Sequence, residues 1–179
     1  MNELQQTLFS LVSELLSEGG NAADSLIQKK LSGHPDNAAR KMAYSKISDE
    51  DLSMILPEKY GIFPDADDQT YLGKILYLLG QEGLIDTSVA PRFQVGSTRL
   101  AALKRYGSDV VATDEYETAD IINMASEKKT DYGDLDIDVV FKAPAKEIAA
   151  AIEKVDSSVY ATKLGKNEVH IAVRAGGRV

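Results

Sequence analysis

The chain contains no cysteine, so neither a disulfide framework nor a thiolate-held metal is open to it, and a zinc-finger reading is excluded. It also lacks any apolar run approaching the ~20 residues that a membrane-spanning helix needs. The N-terminal stretch carries acids and glutamines where a secretory leader has a basic start and an apolar core. These absences predict a soluble, unsecreted, cytoplasmic protein. Histidine is scarce as well. His34 sits in a Gly-His-Pro turn, and His170 alternates with Val169 and Ile171, as a structural or solvent-facing strand residue does. No Ser-His-Asp arrangement is legible, and no internal repeat or low-complexity segment occurs.

What is present suffices for a core. The 179 residues, 44% hydrophobic and 27% charged, fit one ordinary globular domain or two small ones. The formal charge of −8 is uneven: residues 1–90 hold 14 acids against 7 Lys/Arg, whereas residues 91–179 hold 14 against 13. The acidic first half would repel a phosphate backbone, so a long nucleic acid is not expected to bind through it. Any polyanion has to meet the second half.

Patterning predicts an α+β fold with a boundary near residue 90, giving a helical domain over 1–90 and an α/β domain over 91–179. The first half reads as helical throughout. Leu4, Leu8, Leu11, Val12, Leu15 and Leu16 recur at helical spacing before Gly19-Gly20. Further helices are expected over 22–31 and 36–44. Ser48 with Asp51 resembles a capping box ahead of Leu52, Met54, Ile55 and Leu56, and Pro57 closes that segment. A helix over about 68–80 presents Tyr71, Leu72, Ile75, Leu76 and Leu79 as one stripe. Beyond the boundary the expected order is a strand over 93–95, a helix over 98–105, a short β-like run over 110–112 and a helix over 117–128. A strand over 135–141 follows, then a helix over 145–155 with Pro144 at its first turn. Two strands over 159–163 and 168–173, joined by Gly165-Lys166-Asn167, complete the layout.

The stretch from Gly133 to Phe141, Gly-Asp-Leu-Asp-Ile-Asp-Val-Val-Phe, is the most informative. On a strand its alternation gathers Asp134, Asp136 and Asp138 on one face and apolar side chains on the other. Carboxylates that close repel one another, which raises their pKa values or recruits a divalent cation. A solvated edge kept from aggregation by acids is the competing reading. An EF-hand loop fits poorly, because Leu135 and Ile137 occupy positions such a loop keeps polar. Earlier in the chain, Gly96-Ser97-Thr98 follows a strand and opens a helix. Backbone amides there, with glycine permitting close approach and a hydroxyl alongside, suit a phosphate; a plain N-cap explains the same residues. Arg99, Lys104 and Arg105 are placed to reach phosphates, and a solvated helix face accounts for them equally.

Val95-Gly96-Ser97 followed by Asp136-Ile137-Asp138-Val139 resembles the signature of the DNA polymerase β nucleotidyltransferase superfamily, over about residues 92–173. The resemblance implies a nucleotidyltransferase-like mixed sheet with flanking helices. It implies that Asp136 and Asp138 are the catalytic pair holding Mg²⁺ or Mn²⁺, and that Gly96 and Ser97 hold the phosphates of a nucleoside triphosphate such as ATP; Arg99, from its place on the helix, is assigned to the same phosphates. The chemistry implied is in-line displacement at phosphorus, transferring a nucleotidyl group to an acceptor that the residues do not identify.

This chain departs from the family pattern in two respects. A segment over about 107–129 lengthens the interval between the motifs, and no acid flanked by apolar residues stands on a last strand, although Glu168 lies on a later one. The expectation is therefore either a fragment whose missing strand supplies the third acid, or a degenerate site. In the latter case the protein is a non-catalytic interaction or assembly module that docks a protein partner through its helical half.

Overall fold

Elements of both sequence halves interleave from the first described strand onward. The computed structural model of the protein describes residues 46–93, 97–111, 130–155, 158–164 and 166–173; the helices expected over 1–20, 22–31, 36–44 and 117–128 lie outside them. In chain order the elements are β1 (Ile47–Ser48), α1 (Leu52–Ile55), α2 (Tyr71–Gln81), β2 (Arg92–Phe93), α3 (Ser97–Tyr106), α4 (Ser108–Val111), β3 (Asp131–Tyr132), β4 (Ile137–Asp138), α5 (Ala145–Ile152), β5 (Val159–Leu164) and β6 (Glu168–Val173). The fold is mixed α/β. Its strands pair antiparallel, β1 with β3, β2 with β4 and β5 with β6. Where a mixed sheet was expected, the described residues carry separate two-stranded pairs.

Local chemistry sets the helix limits. Ser48 and Asp51 form the expected reciprocal pair: the Ser48 amide and hydroxyl both donate to Asp51 Oδ2 at 2.8 Å, and the Asp51 amide donates back to Ser48 Oγ at 3.3 Å. Leu56 then leaves the helix with φ −77° and ψ 143°, the extended conformation that a following proline imposes. Helix α2 starts at Tyr71, three residues later than the expected start at 68, because Thr70 is its N-cap and accepts from the Gly73 amide at 3.1 Å. Asp68 is consumed in organising the approach. Only 5% exposed, it accepts the Thr70 amide at 3.0 Å and hydroxyl at 2.6 Å through Oδ1, and the Glu58 amide at 2.8 Å through Oδ2. At the other end Gly83, at φ +69°, lets the Leu84 amide reach back to the Leu79 carbonyl and closes the helix.

Two expectations are corrected here. Residues 46–90 are not helical throughout: β1 opens them, and residues 56–70, interrupted by Pro57, Gly61 and Pro64, run without helix to the Asp68 turn. The β-like run expected over 110–112 is, within the described residues, part of helix α4. Gly107, at φ +57°, ends α3, and the chain restarts at once in a helical turn that buries Val110 completely. Burial of one side chain here outweighs the strand preference of a Val-Val pair. The hairpin at the end of the described residues follows the expected layout, with Val159 opposite Val173 and Leu164 opposite Glu168.

Apolar burial is divided between two clusters. The first joins Leu52 and Leu56 of the α1 segment to Phe93, Leu100, Tyr106, Val110 and Tyr132, with Tyr60, Phe93 and Tyr106 packed ring on ring at centroid distances of 5.3–5.7 Å. The second joins Ile75, Leu76 and Leu79 of α2 to Ile85, to Ile148 and Ile152 of α5, and to Val159 and Ala161 of β5. Residues 135–141 run across both: Leu135 and Ile137 pack on the first cluster, Val139 and Phe141 on the second. No helix among the described residues is long and apolar enough to cross a membrane.

Candidate functional site

The acidic stretch obeys the period of two. From Asp134 to Phe141 exposed and partly buried residues alternate, with Asp134, Asp136 and Asp138 outward and Leu135, Ile137, Val139 and Phe141 inward. Regular strand is shorter than the expected 135–141, because only Ile137 and Asp138 form a ladder, opposite Phe93 and Arg92. Beyond it, Phe141 bridges Ile85, the Asp86 amide donates to the Val140 carbonyl and the Lys142 amide to the Leu84 carbonyl, both at 2.8 Å. The stretch thus changes partner midway, from β2 to the turn after α2.

A side chain joins the two sequence motifs. The Asp136 amide donates to Thr98 Oγ1 at 3.0 Å, across 38 residues of chain, and Thr98 is 1% exposed in the first turn of α3. Since β2 leads toward α3 and also pairs with β4, the carboxylate-bearing strand lies against the beginning of that helix. Arg99 occupies the same turn and is partly buried. Ser97 opens α3; its side chain and Gly96 lie outside the described residues.

Charge accumulates on this face. Although Asp136 keeps contact with solvent, partial desolvation of its carboxyl raises its pKa above the ordinary 3.8; Asp134 and Glu168 add to the rise, His170 opposes it, and Asp138 contributes less. Glu168 and His170 belong to β6, so the hairpin lends an acid and an imidazole to the field around Asp136. His170 Nε2 lies 3.1 Å from Glu168 Oε1. Among the described residues, no three His, Asp or Glu side chains are grouped so as to hold a metal ion. The outward donors of Asp134, Asp136 and Asp138 are carboxylate oxygens, a set that suits hard cations such as Mg²⁺ or Mn²⁺ better than zinc.

Pattern marks Thr98 only as part of the Gly96-Ser97-Thr98 helix start and does not reveal its bond to the Asp136 amide. That partner becomes visible only through a contact distant in sequence. The same holds for a polar cluster near the far end of α3. There Lys104 Nζ lies 3.1 and 3.0 Å from the Asp49 carboxylate oxygens, and the Tyr132 hydroxyl donates to Asp49 Oδ1 at 2.9 Å. Burial alone would raise the Asp49 pKa, but the Lys104 and Tyr132 hydrogen bonds outweigh it and hold the carboxyl below its ordinary range. This cluster ties the turn after β1 to α3 and β3.

No family model, no curated protein and no solved structure matches the chain.

Proposed function

We propose that the protein is a nucleotidyltransferase-like module that binds a nucleoside triphosphate together with a divalent cation at the start of α3. The observation that carries this reading is the hydrogen bond from the Asp136 amide to Thr98, with the outward carboxylates of Asp136 and Asp138 on either side of Ile137. A carboxylate pair beside a helix that begins at Ser97 combines an acceptor set for a hard cation with amide donors for phosphate oxygens. In this reading Asp136 and Asp138 hold the cation, while Gly96, Ser97 and Arg99 hold the phosphates. The cation, when bound, neutralises charge on the phosphates and lowers the barrier to displacement at phosphorus. The chain's own task is positional: it keeps two negative charges at a fixed spacing and aligns the triphosphate for in-line attack by an acceptor hydroxyl.

Isothermal titration with Mg²⁺ and ATP tests the proposal. Binding heat for the wild type and a loss of affinity on the order of tenfold or more for Asp136→Ala/Asp138→Ala are expected, as for removal of charged partners from a bound group. No heat with the wild type, or equal affinity in the double variant, would instead favour the non-catalytic interaction module.

A further inference from the structure

The sequence Asp134-Leu135-Asp136-Ile137-Asp138-Val139 is nearly self-similar under a shift of two residues. Sliding residues 134–139 by two would exchange Leu135 for Ile137 and Ile137 for Val139 at the first cluster, with little change in apolar burial there. Backbone ladders also repeat every two residues. Neither packing at the first cluster nor the short β2–β4 ladder therefore selects strongly which two of the three aspartates stand beside α3. The backbone bonds of Val140 and Lys142 to residues 84–86 hold the far end of the stretch, and its near end needs a contact of its own.

A directional bond to a single amide does select. Thr98 Oγ1 is buried, its β-branched side chain has restricted rotamers, and it accepts the Asp136 amide at 3.0 Å. Asp136 lies just outside the β4 ladder, so this hydroxyl rather than a strand carbonyl satisfies its N–H. In a slipped register the hydroxyl would face Asp134 or Asp138, with a different pair of carboxylates brought to the helix start.

We infer that Thr98 is a positioning residue: its hydroxyl sets the register of the acidic strand on α3 and so chooses Asp136 and Asp138, rather than Asp134 and Asp136, as the carboxylate pair presented to a divalent cation. The choice of pair rests on the nucleotidyltransferase reading; the register role of the hydroxyl does not.

The experiment compares wild type, Thr98→Val and Thr98→Ser by amide hydrogen exchange and by Mn²⁺-induced NMR line broadening, with Mn²⁺ alone as the probe. In Thr98→Val, which keeps the shape but not the acceptor, exchange at the Asp136 amide should accelerate on the order of tenfold, the scale of one lost hydrogen bond. Thr98→Ser should retain protection. Mn²⁺ should broaden Asp136 and Asp138 most in wild type and Thr98→Ser, and should spread to Asp134 in Thr98→Val. A general loosening of the fold would accelerate exchange throughout the first cluster, whereas the register role confines the change to residues 134–139. Unchanged protection of Asp136 in Thr98→Val overturns the inference. Should that variant not fold, fast exchange at Asp136 in Thr98→Ser does the same. If wild type shows no Mn²⁺ broadening at Asp136 or Asp138, the proposed function falls, while the exchange comparison still decides the role of Thr98.

Discussion

The Cβ position of Gly73 is directed into the Asp68 carboxylate, so that an alanine methyl there would collide with Asp68 Oδ1 and Cγ. Glycine within a helix ordinarily costs ~1 kcal/mol relative to alanine. At Gly73 the order is inverted, because Asp68 is buried and committed to Thr70 and Glu58. Gly73→Ala should therefore destabilise the protein by about 1–3 kcal/mol, the range for overpacking a core site. Thermal denaturation followed by circular dichroism checks it, and an unchanged or raised Tm would show that the Asp68 turn yields freely.

Asp136 provides a pH test with a definite sign. Its folded-state pKa is raised, so the ionised carboxyl opposes folding, and the penalty is complete above the folded pKa and absent below the ordinary value of 3.8. Asp136→Asn should raise Tm at pH 7 in the absence of divalent ions by about 1–2 °C, modest because solvent screens the face. The gain should vanish as pH falls from the raised pKa toward 3.8. A gain that persists unchanged to pH 3 would mean that charge is not its origin.

Tyr132→Phe should cost about 0.5–1.5 kcal/mol, the scale of a net intramolecular hydrogen bond, since the ring stays packed in the first cluster while the hydroxyl's bond to Asp49 and its contact with Lys104 are lost. Asp49 has the opposite sign from Asp136. Its depressed pKa gives stability that is present above 3.8 and lost as pH falls through the folded value. The deficit of Asp49→Asn at pH 7 should accordingly shrink in acid. Urea titrations at pH 7 and pH 3 measure both effects, and equal deficits at the two pH values would contradict the charge-assisted bond.

Divalent binding without nucleotide should be weak. Two carboxylates leave a hard cation most of its waters. At Mg²⁺ near its Kd the stabilisation is about 0.4 kcal/mol, which corresponds to a Tm rise of roughly 1–2 °C. Asp136→Ala/Asp138→Ala should abolish the rise, and zinc should not exceed magnesium. An identical shift in the double variant would place the ion elsewhere.

Several features were legible before any contact was known. Apolar spacing marks the α2 stripe, alternation marks the acidic face from Asp134 to Asp138, and turn chemistry marks the Ser48–Asp51 box and the β5–β6 hairpin. Each is local: a period of 3.6 or 2, or a cap a few residues away, follows from steric and hydrogen-bonding limits on a short piece of chain. The Val110 turn misled because strand preference is weak and one buried side chain reverses it.

By itself the sequence determined which faces are apolar, that Pro57 closes the α1 segment, and that three carboxylates alternate along one extended stretch. It did not determine what those faces meet. Only the tertiary structure decided that the acidic strand pairs with β2, that it bridges two clusters, and that the Asp136 amide finds Thr98. The physical reason is that periodicity encodes burial but not partner. A strand that repeats every two residues is satisfied equally well in neighbouring registers until a directional bond from a distant residue distinguishes them.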